Sequence, residues 1–180
     1  RNRIMKPVTQ ELLRQAAAAF DFGLPIGEAE RYGAGHINDT FAVWAADHSR
    51  RWILQRINTD TFTDPAGLME NVTGVTSYLR REILARGGDP YRETLNVVPT
   101  REGKPYYTDC EGGAWRAYLF VEGTVCLQKV ENERDFYTAA ETFGNFQNQL
   151  AGYPAATLHE TIATTPPTAT PTLKRPWPPT

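Results

Sequence analysis

The stretch YGAGHINDTFAV, residues 32–43, decides how the rest of this chain is interpreted. It contains Gly33 and Gly35 and runs into a β-branched and aromatic segment that predicts a strand over residues 36–45. Residues 28–33 also have strand character, so the two glycines lie at a turn between two strands. Glycine has no Cβ atom, and such a turn therefore lets backbone amides approach an anion such as a phosphate. A glycine hairpin is more often structural than functional, so the interpretation depends on the surrounding sequence.

Two common phosphate-binding motifs do not fit this stretch. The Rossmann fingerprint requires a parallel strand followed by a helix that starts within the motif, whereas here a strand follows. A Walker loop requires Gly-Lys-Ser or Gly-Lys-Thr, and the sequence contains neither. A glycine turn between two antiparallel strands is instead the arrangement that covers ATP in protein-kinase-like folds.

A third strand and a long helix are predicted after the glycine turn. Residues 51–57 contain the apolar run WILQRI, which predicts the strand. The helix begins at the cap Asp64 with Pro65 in its first turn, and Gly87-Gly88 ends it. Its apolar stripe recurs at spacings of three and four and consists of Leu68, Val72, Val75, Leu79 and Ile83.

Arg56 lies on the third strand, and Glu70 lies in the first turns of the helix. Kinase-like folds place a cation against the nucleotide phosphates at the first position and its acidic partner at the second. Each residue alone has a simpler explanation, as a solvated arginine or as an acid that favours the helix dipole. Their order after the glycine turn indicates the kinase-like arrangement. Glu82 is the substitute if Glu70 lies on the wrong side of its helix.

The remaining elements complete the pattern. Further strands are predicted over residues 95–100, 105–108 and 115–121, and the last ends at Glu122-Gly123, where kinase-like folds have the hinge that holds the adenine edge. A helix over residues 9–22 precedes the sheet. Another helix runs from its cap Asn132 to about residue 150, with a predicted buried face of Phe136, Ala140, Phe143 and Leu150. Strands before and after a single long helix predict an α+β fold with an antiparallel sheet.

The composition restricts the class of protein. The chain has 180 residues and is 41% hydrophobic, which suffices for a core, and its net charge of -2 provides no broad basic field for nucleic acid or an anionic membrane. The two cysteines are too few for a disulfide scaffold, and no apolar run approaches the roughly 18 residues of a membrane span. We therefore expect a cytoplasmic protein with no nucleic-acid or membrane partner.

Several of these stretches together resemble a known family. GHINDTF, WILQRIN, DPAGLMENV and the run from Trp115 to Gly123 resemble the aminoglycoside-phosphotransferase-like kinases, most strongly the N-acetylhexosamine 1-kinases. Those kinases phosphorylate the anomeric hydroxyl of N-acetylglucosamine or N-acetylgalactosamine. Residues 144–146 and 158–162 resemble the same family, so the similarity covers roughly residues 9–162.

The resemblance implies a protein-kinase-like N-lobe, an antiparallel sheet with a long helix, followed by the first helix of an incomplete C-lobe. It also implies ATP- and Mg²⁺-dependent transfer of the γ-phosphoryl group to an alcohol group of a small-molecule sugar. Under it the glycine turn lies over the phosphates, Arg56 takes the place that lysine has in most such kinases, and the hinge lines the adenine site. The implied nucleotide-binding residues are Gly33, Gly35, His36, Asn38, Asp39, Thr40, Arg56, Glu70, Phe120, Val121 and Glu122.

The sequence departs from the family after Ile162. Such kinases need a catalytic aspartate in a histidine-containing loop and a second acid that holds magnesium, but the only later ionisable residues are Lys174 and Arg175. We therefore expect no catalytic residue and no metal ligand in this chain, which should be inactive alone, and we expect the Mg²⁺ ligands in the missing part. Without the rest of its lobe, the last helix should expose Phe136, Phe143 and Phe146.

These expectations divide the chain into three parts. We predict an ATP-binding N-lobe over residues 1–123, a hinge loop with the first C-lobe helix over 124–162, and a disordered Pro/Thr-rich tail over 163–180. We hypothesise that the tail is a frameshift product, because periodicity is lost abruptly there and a reading one frame over can spell a helix-like sequence of the family's character. Source DNA with an intact frame ending at this tail, and no kinase motifs downstream, would contradict that hypothesis.

Two alternatives remain open at this point. One is a different acceptor on the same fold, as in an aminoglycoside, choline or homoserine-type kinase. The other is a non-catalytic nucleotide-binding module that has lost its catalytic half. All of these interpretations share a nucleotide as ligand. The two kinase interpretations differ in the small molecule that accepts the phosphoryl group, and the non-catalytic module has no acceptor.

Overall fold

The computed structural model describes residues 7–33, 35, 37–124 and 132–162. Within these ranges the chain forms six strands, four α-helices and one short 3-10 helix. In chain order they are α1 (Gln10–Ala19), β1 (Ile26–Arg31), β2 (Asp39–Ala45), β3 (Arg51–Arg56), α2 (Pro65–Ala85), α3 (Pro90–Glu93), β4 (Val97–Val98), β5 (Tyr107–Thr108), β6 (Ala114–Leu119), α4 (Glu133–Gln149) and the 3-10 helix Ala155–Thr157. No helix of the described ranges is both long and apolar enough to cross a membrane.

The six strands form one antiparallel sheet in the order β1-β2-β3-β6-β4, with β5 also paired to β6. Neighbouring strands place Asp39 opposite Arg56 and Arg56 opposite Trp115. The predicted α+β class, an antiparallel sheet with one long helix, is therefore confirmed. The division of the chain at residues 123 and 162 remains a prediction, and the tail lies outside the described residues.

The side of the sheet that we call the α1 face carries the main core. Because side chains alternate along a strand, one set from β2, β3 and β6 points to this face. The buried apolar part of that set packs with Leu13, Ala16 and Ala17 of α1. It consists of Phe41, Val43, Ala45, Trp52, Leu54, Trp115 and Ala117.

Helix α1 begins where the sequence predicted and ends earlier. Thr9 caps it, because the backbone N–H of Leu12 donates to Thr9 Oγ1 at 3.2 Å. The predicted end at residue 22 is wrong, since the helix stops at Ala19 and Phe20 is extended. Phe20 is fully buried and bridges to Thr100, so tertiary packing ends the helix before Gly23 does.

The other side of the sheet, the α2 face, receives the long helix. Ile57 and Ala114 pack there against Met69 of α2, and the sequence did not predict Met69 as a core residue. The predicted cap is confirmed, since the backbone N–H of Gly67 donates to Asp64 Oδ1 at 2.9 Å. In the predicted stripe, Leu79 and Ile83 are buried, while Leu68, Val72 and Val75 are half-buried.

Helix α4 has the predicted cap but not the predicted buried face. The backbone N–H of Asp135 donates to Asn132 Oδ1 at 2.9 Å. However, no residue of the helix is buried, and Phe136 and Phe143 are 67% and 63% exposed. The expected exposure of Phe136, Phe143 and Phe146 is thus confirmed, and the expected buried face is wrong because the described chain provides no surface opposite it.

The segment after α4 returns to α2. Tyr153 packs edge-on against Tyr78, with ring centroids 5.4 Å apart. The side chain of Asn71 donates to the carbonyl oxygen of His159 at 2.9 Å and accepts from its backbone N–H at 2.8 Å. These long-range contacts attach the end of the described chain to the helix, and nothing in the sequence pattern predicted them.

Candidate nucleotide-binding site

The glycine turn connects β1 to β2, and its two glycines differ in backbone conformation and in the space around them. Gly33 has φ of +78°, a left-handed conformation that other residues adopt only with strain. At Gly35 a Cβ atom would meet nothing within 4 Å, so the chain leaves space beside that backbone. His36, a predicted phosphate neighbour, lies outside the described residues. The turn is therefore held in shape at Gly33 and open to an approaching group at Gly35.

Three consecutive side chains after the turn bind the third strand or the residues just past it. Asn38 Oδ1 accepts from the backbone N–H of Asn58 at 2.8 Å. The carboxylate of Asp39 pairs with Arg56 at 2.7 Å, and Thr40 Oγ1 accepts from Gln55 Nε2 at 2.9 Å. The predicted phosphate-contacting residues Asn38, Asp39 and Thr40 thus fix the base of the turn to its neighbouring strand.

Arg56 and Glu70, predicted as a cation and its acidic partner, lie in separate ion pairs. Arg56 alternates with Trp52 and Leu54 and so points to the α1 face, where its Nε and Nη2 donate to Asp39 Oδ2 at 3.1 and 2.7 Å. Glu70 belongs to the helix on the opposite face and lies 2.6 Å from Nε2 of His159. The alternation of side chains along β3 is the physical reason for this difference from the expected geometry.

Asp39 has a second cation, so three of the described residues form a network at the base of the turn. Arg31 Nη2 lies 2.7 Å from Asp39 Oδ1, while Arg56 occupies Oδ2. The Arg31 side chain is largely exposed, whereas those of Arg56 and Asp39 are 8% and 14% exposed. This network links β1, β2 and β3 at the point where the glycine turn starts and ends.

Arg116 of β6 was not predicted from the sequence as a site residue. Its Nε and Nη2 both donate to Gln55 Oε1, at 2.9 and 2.7 Å, and Gln55 in turn donates to Thr40. We call Thr40, Gln55 and Arg116 the polar row; register and alternation place it on the α2 face. Burial lowers the pKa of the Arg116 guanidinium from its ordinary value. Its signal in the sequence is a single cation within the mostly apolar run AWRAYLFV.

The segment predicted to be the hinge, residues 120–123 after β6, is organised around Arg51, and we keep the name hinge for it. The Arg51 guanidinium donates to both carboxylate oxygens of Glu122, at 2.7 and 2.8 Å. The guanidinium carbon Cζ also lies 3.7 Å from the ring centroid of Phe120 and 4.7 Å from that of Trp44. The hydrogen bond from Arg51 lowers the pKa of Glu122, and the same bond raises the pKa of Arg51. We call Trp44, Arg51, Phe120 and Glu122 the hinge cluster.

The glycine turn meets the hinge directly. Tyr32, the residue before Gly33, packs edge-on against Phe120 with ring centroids 5.4 Å apart. The hinge backbone is also held, because Arg92 Nη1 donates to the Glu122 carbonyl oxygen at 2.8 Å. Of the predicted site residues, the structure therefore places the turn and Phe120 at one surface. Val121 is half-buried beside them.

The described residues provide no group of three or more His, Cys, Asp or Glu side chains that could hold a metal ion. Asp39, an acid that follows the turn, is shared between Arg31 and Arg56. A groove of about 550 Å³ lies between α2 and the β4 edge, lined by residues such as Arg80 and Asn96, apart from the turn and the hinge.

No protein-family model matches the chain. One solved structure similar to it is spectinomycin phosphotransferase APH(9)-Ia in complex with ADP and spectinomycin, with 15% identity and a TM-score of 0.49 over 84% of this chain and 41% of that chain. Another is an aminoglycoside phosphotransferase from Alicyclobacillus acidocaldarius subsp. acidocaldarius, with 15% identity and a TM-score of 0.40 over 68% of this chain and 30% of that chain. This chain therefore spans about two fifths of the first protein and less than a third of the second.

Proposed function

We propose that this chain is the ATP-binding part of a phosphotransferase that acts on a hydroxyl group of a small molecule. The observation that carries the proposal is the contact between Tyr32, at the entrance of the glycine turn, and Phe120 of the hinge. The two segments are distant in sequence, yet they border one surface of the sheet. That surface has flat aromatic groups at the hinge and open backbone at Gly35, which suits a base at one end and phosphates at the other.

The predicted residues take the following roles in this proposal. The backbone at Gly33, Gly35 and His36 contacts the phosphates, while Asn38, Asp39 and Thr40 hold the turn in place. Phe120, Val121 and Glu122 border the adenine. Arg56 supports the turn through Asp39, and both Arg56 and Glu70 remain predicted nucleotide residues.

In the whole enzyme the acceptor oxygen would attack the γ-phosphorus of ATP. A new O–P bond forms, and the bond from the γ-phosphorus to the β,γ-bridging oxygen breaks. ADP leaves with that oxygen and the electron pair of the broken bond, and the acceptor hydroxyl gives its proton to the aspartate of the catalytic loop. Mg²⁺ would neutralise charge on the phosphates, held by acids outside the part of the chain that the structure describes, which has no group of three or more such ligands. The role that we propose for the described residues is to bind the nucleotide.

Two classes of acceptor fit the proposal. The sequence resemblance favours the anomeric hydroxyl of an N-acetylhexosamine, and an aminoglycoside is the alternative acceptor on the same fold. An enzyme extended through the catalytic loop, assayed with both classes, would distinguish them. Turnover of N-acetylglucosamine or N-acetylgalactosamine but not of aminoglycosides would support the sugar, and the reverse would contradict it.

Nucleotide binding can be tested on the chain itself. We expect calorimetry to show binding of ADP and ATP to a chain whose circular dichroism confirms that it is folded. Gly35→Ala should weaken ADP binding roughly tenfold, about 1.4 kcal/mol, because the added methyl group keeps the phosphate away from the backbone amides. Gly35 has no positive φ and has open space around it, so the substitution should leave the fold intact.

Gly144 provides the matched control. It lies in α4, and a Cβ atom there would also meet nothing within 4 Å. Gly144→Ala should leave ADP binding unchanged. A folded wild-type chain that binds neither ADP nor ATP would contradict the proposal. If the two alanine substitutions changed ADP binding equally, the phosphates would not bind at the glycine turn.

A further inference from the structure

We propose that Arg116 of β6 is the cation that binds the nucleotide phosphates, an inference that rests on the proposed function. The position predicted for such a cation was Arg56 on β3. The structure separates these two arginines by face, by partner and by charge balance, and all three differences favour Arg116.

The first difference is the charge balance. Arg56 donates to the carboxylate of Asp39, so its positive charge has a negative partner. No ion pair joins Arg116 to an acid within the described residues, and its hydrogen-bond acceptor is the neutral amide oxygen of Gln55. A half-buried guanidinium without a counter-charge is costly in a folded protein, and an anionic ligand would supply that counter-charge.

The second difference is the set of donors that remain. Nε and Nη2 of Arg116 are directed at Gln55, whereas Nη1 has no hydrogen bond to the described chain. No fully buried side-chain nitrogen or oxygen of that part of the chain lacks a partner, so Nη1 must reach solvent. Gln55 thus fixes one side of the guanidinium and leaves the other side able to donate to phosphate oxygens.

The third difference is position. Arg116 lies on the α2 face, and the polar row connects it through Gln55 to Thr40, at the end of the glycine turn. Phe120 of the hinge follows Arg116 of β6 by four residues along the chain, a span of about 13 Å when the chain is extended. A nucleotide with its base at the hinge would therefore extend its phosphates toward Arg116 and the turn.

The first test compares ADP with adenosine, because only ADP carries phosphates. We expect Arg116→Met to weaken ADP binding on the order of 10- to 100-fold, the range for losing hydrogen bonds to a charged group, and to leave adenosine binding within about twofold. Arg116→Lys should restore part of the ADP affinity, since it keeps the charge but loses the forked donors. Calorimetry on the 180-residue chain measures both ligands.

Arg80→Met is the matched control. Arg80 is also a half-buried arginine that donates to an amide oxygen, that of Asn96, at 2.9 Å, but it lies on α2 beside β4. We expect this substitution to leave the ratio of ADP to adenosine affinity unchanged. The control separates the loss of a phosphate contact from the general loss of a structural arginine.

The second test keeps Arg116 and balances its positive charge with a new carboxylate. Gln55→Glu has the same shape as glutamine and would give Arg116 a carboxylate partner, while the Thr40 hydroxyl can turn to donate to the new oxygen. We expect this substitution to raise the free energy of unfolding, because the new carboxylate pairs with Arg116. It should weaken ADP binding roughly tenfold and leave adenosine binding unchanged.

The outcomes distinguish the two proposals. Suppose that the wild type binds ADP and that neither Arg116→Met nor Gln55→Glu changes the ratio of ADP to adenosine affinity. That result would overturn the role of Arg116 and leave the proposed function standing. Equal loss of both ligands in these variants would assign Arg116 to the fold and would also overturn the role. A folded wild-type chain that binds neither ligand would overturn the proposed function and this inference with it.

Discussion

The two faces of the sheet are built from the same strands and differ in kind. The α1 face is apolar and closed, with Leu54 and Trp115 fully buried, and its buried cation Arg56 has a carboxylate partner. The α2 face carries the polar row and the hinge cluster, and the acceptor that Arg116 has among the described residues is a neutral amide oxygen. A closed and charge-balanced face stabilises the fold, whereas an incompletely balanced face is suited to a ligand.

The largest expected difference between the faces concerns their tryptophans. Trp115 on the α1 face is fully buried and donates from Nε1 to Asp109 at 2.7 Å. Trp44 on the α2 face is half-buried and stacks on Arg51. We expect Trp115→Ala to lower the free energy of unfolding by about 3–5 kcal/mol, because it leaves a cavity and removes a hydrogen bond. Trp44→Ala should lower it by about 1 kcal/mol.

Urea unfolding followed by circular dichroism measures both values. Similar losses for the two variants would mean that the hinge side of the α2 face is as tightly packed as the core. The distinction between a face for stability and a face for a ligand would then fail.

The two arginines provide the next comparison. Arg56→Met removes the main partner of Asp39, a carboxylate that is 14% exposed, and should lower the free energy of unfolding by about 3 kcal/mol. Arg31 still pairs with Asp39 and limits the loss. Arg116→Met removes a cation that has no acidic partner in the described chain, so the free energy of unfolding should change by less than about 1 kcal/mol.

The sign of the change in the free energy of unfolding in Arg116→Met distinguishes a ligand-binding arginine from a structural one. Urea unfolding at neutral pH should place this variant at or above the wild type, with Arg56→Met clearly below. If Arg116→Met were the more damaging substitution, its guanidinium would be a structural element, and the α2 face would lose the feature that distinguishes it.

The sequence predicted the parts of this fold that depend on neighbouring residues. Thr9, Asp64 and Asn132 all cap the predicted helices, because a cap requires only a side-chain oxygen a few residues before a backbone N–H. The strands were predicted to within a few residues from their alternation, and the glycine turn between β1 and β2 followed from its composition. Local rules were sufficient for each of these features.

The sequence did not predict which face each polar side chain occupies. A shift of one residue moves a side chain to the other side of the sheet, so the partners of Arg56 and Arg116 depend on the register of β2, β3 and β6. The long-range contact of Glu70 with His159 depends on how the chain returns to α2. The sequence therefore predicted a site at the turn and the hinge. Arg116, the cation that we propose for it, was not predicted because its hydrogen-bonded row spans three strands.

The smallest expected effect is at the hinge cluster, through Glu122. Arg51 lowers the pKa of this glutamate in the folded chain, so the ion pair stabilises the fold above the unfolded glutamate pKa of about 4.3 and is lost as the pH falls through the lower folded value. The Glu122 side chain is 59% exposed, and solvent screening limits the contribution to a few tenths of a kcal/mol. Glu122→Gln should therefore be slightly less stable than wild type at pH 7 and equal to it at acidic pH.

Glu102→Gln is the control for this measurement, because Glu102 pairs with Lys104 at 2.9 Å on an exposed turn away from the hinge. Urea unfolding at a series of pH values should show a larger pH-dependent difference for Glu122→Gln than for Glu102→Gln, since Arg51 is also stacked between Phe120 and Trp44. Added salt should reduce both differences. A pH-independent loss of several kcal/mol at Glu122 would instead mean that the hinge cluster is closed and structural, as the α1 face is, and would leave the polar row as the only part of the α2 face suited to a ligand.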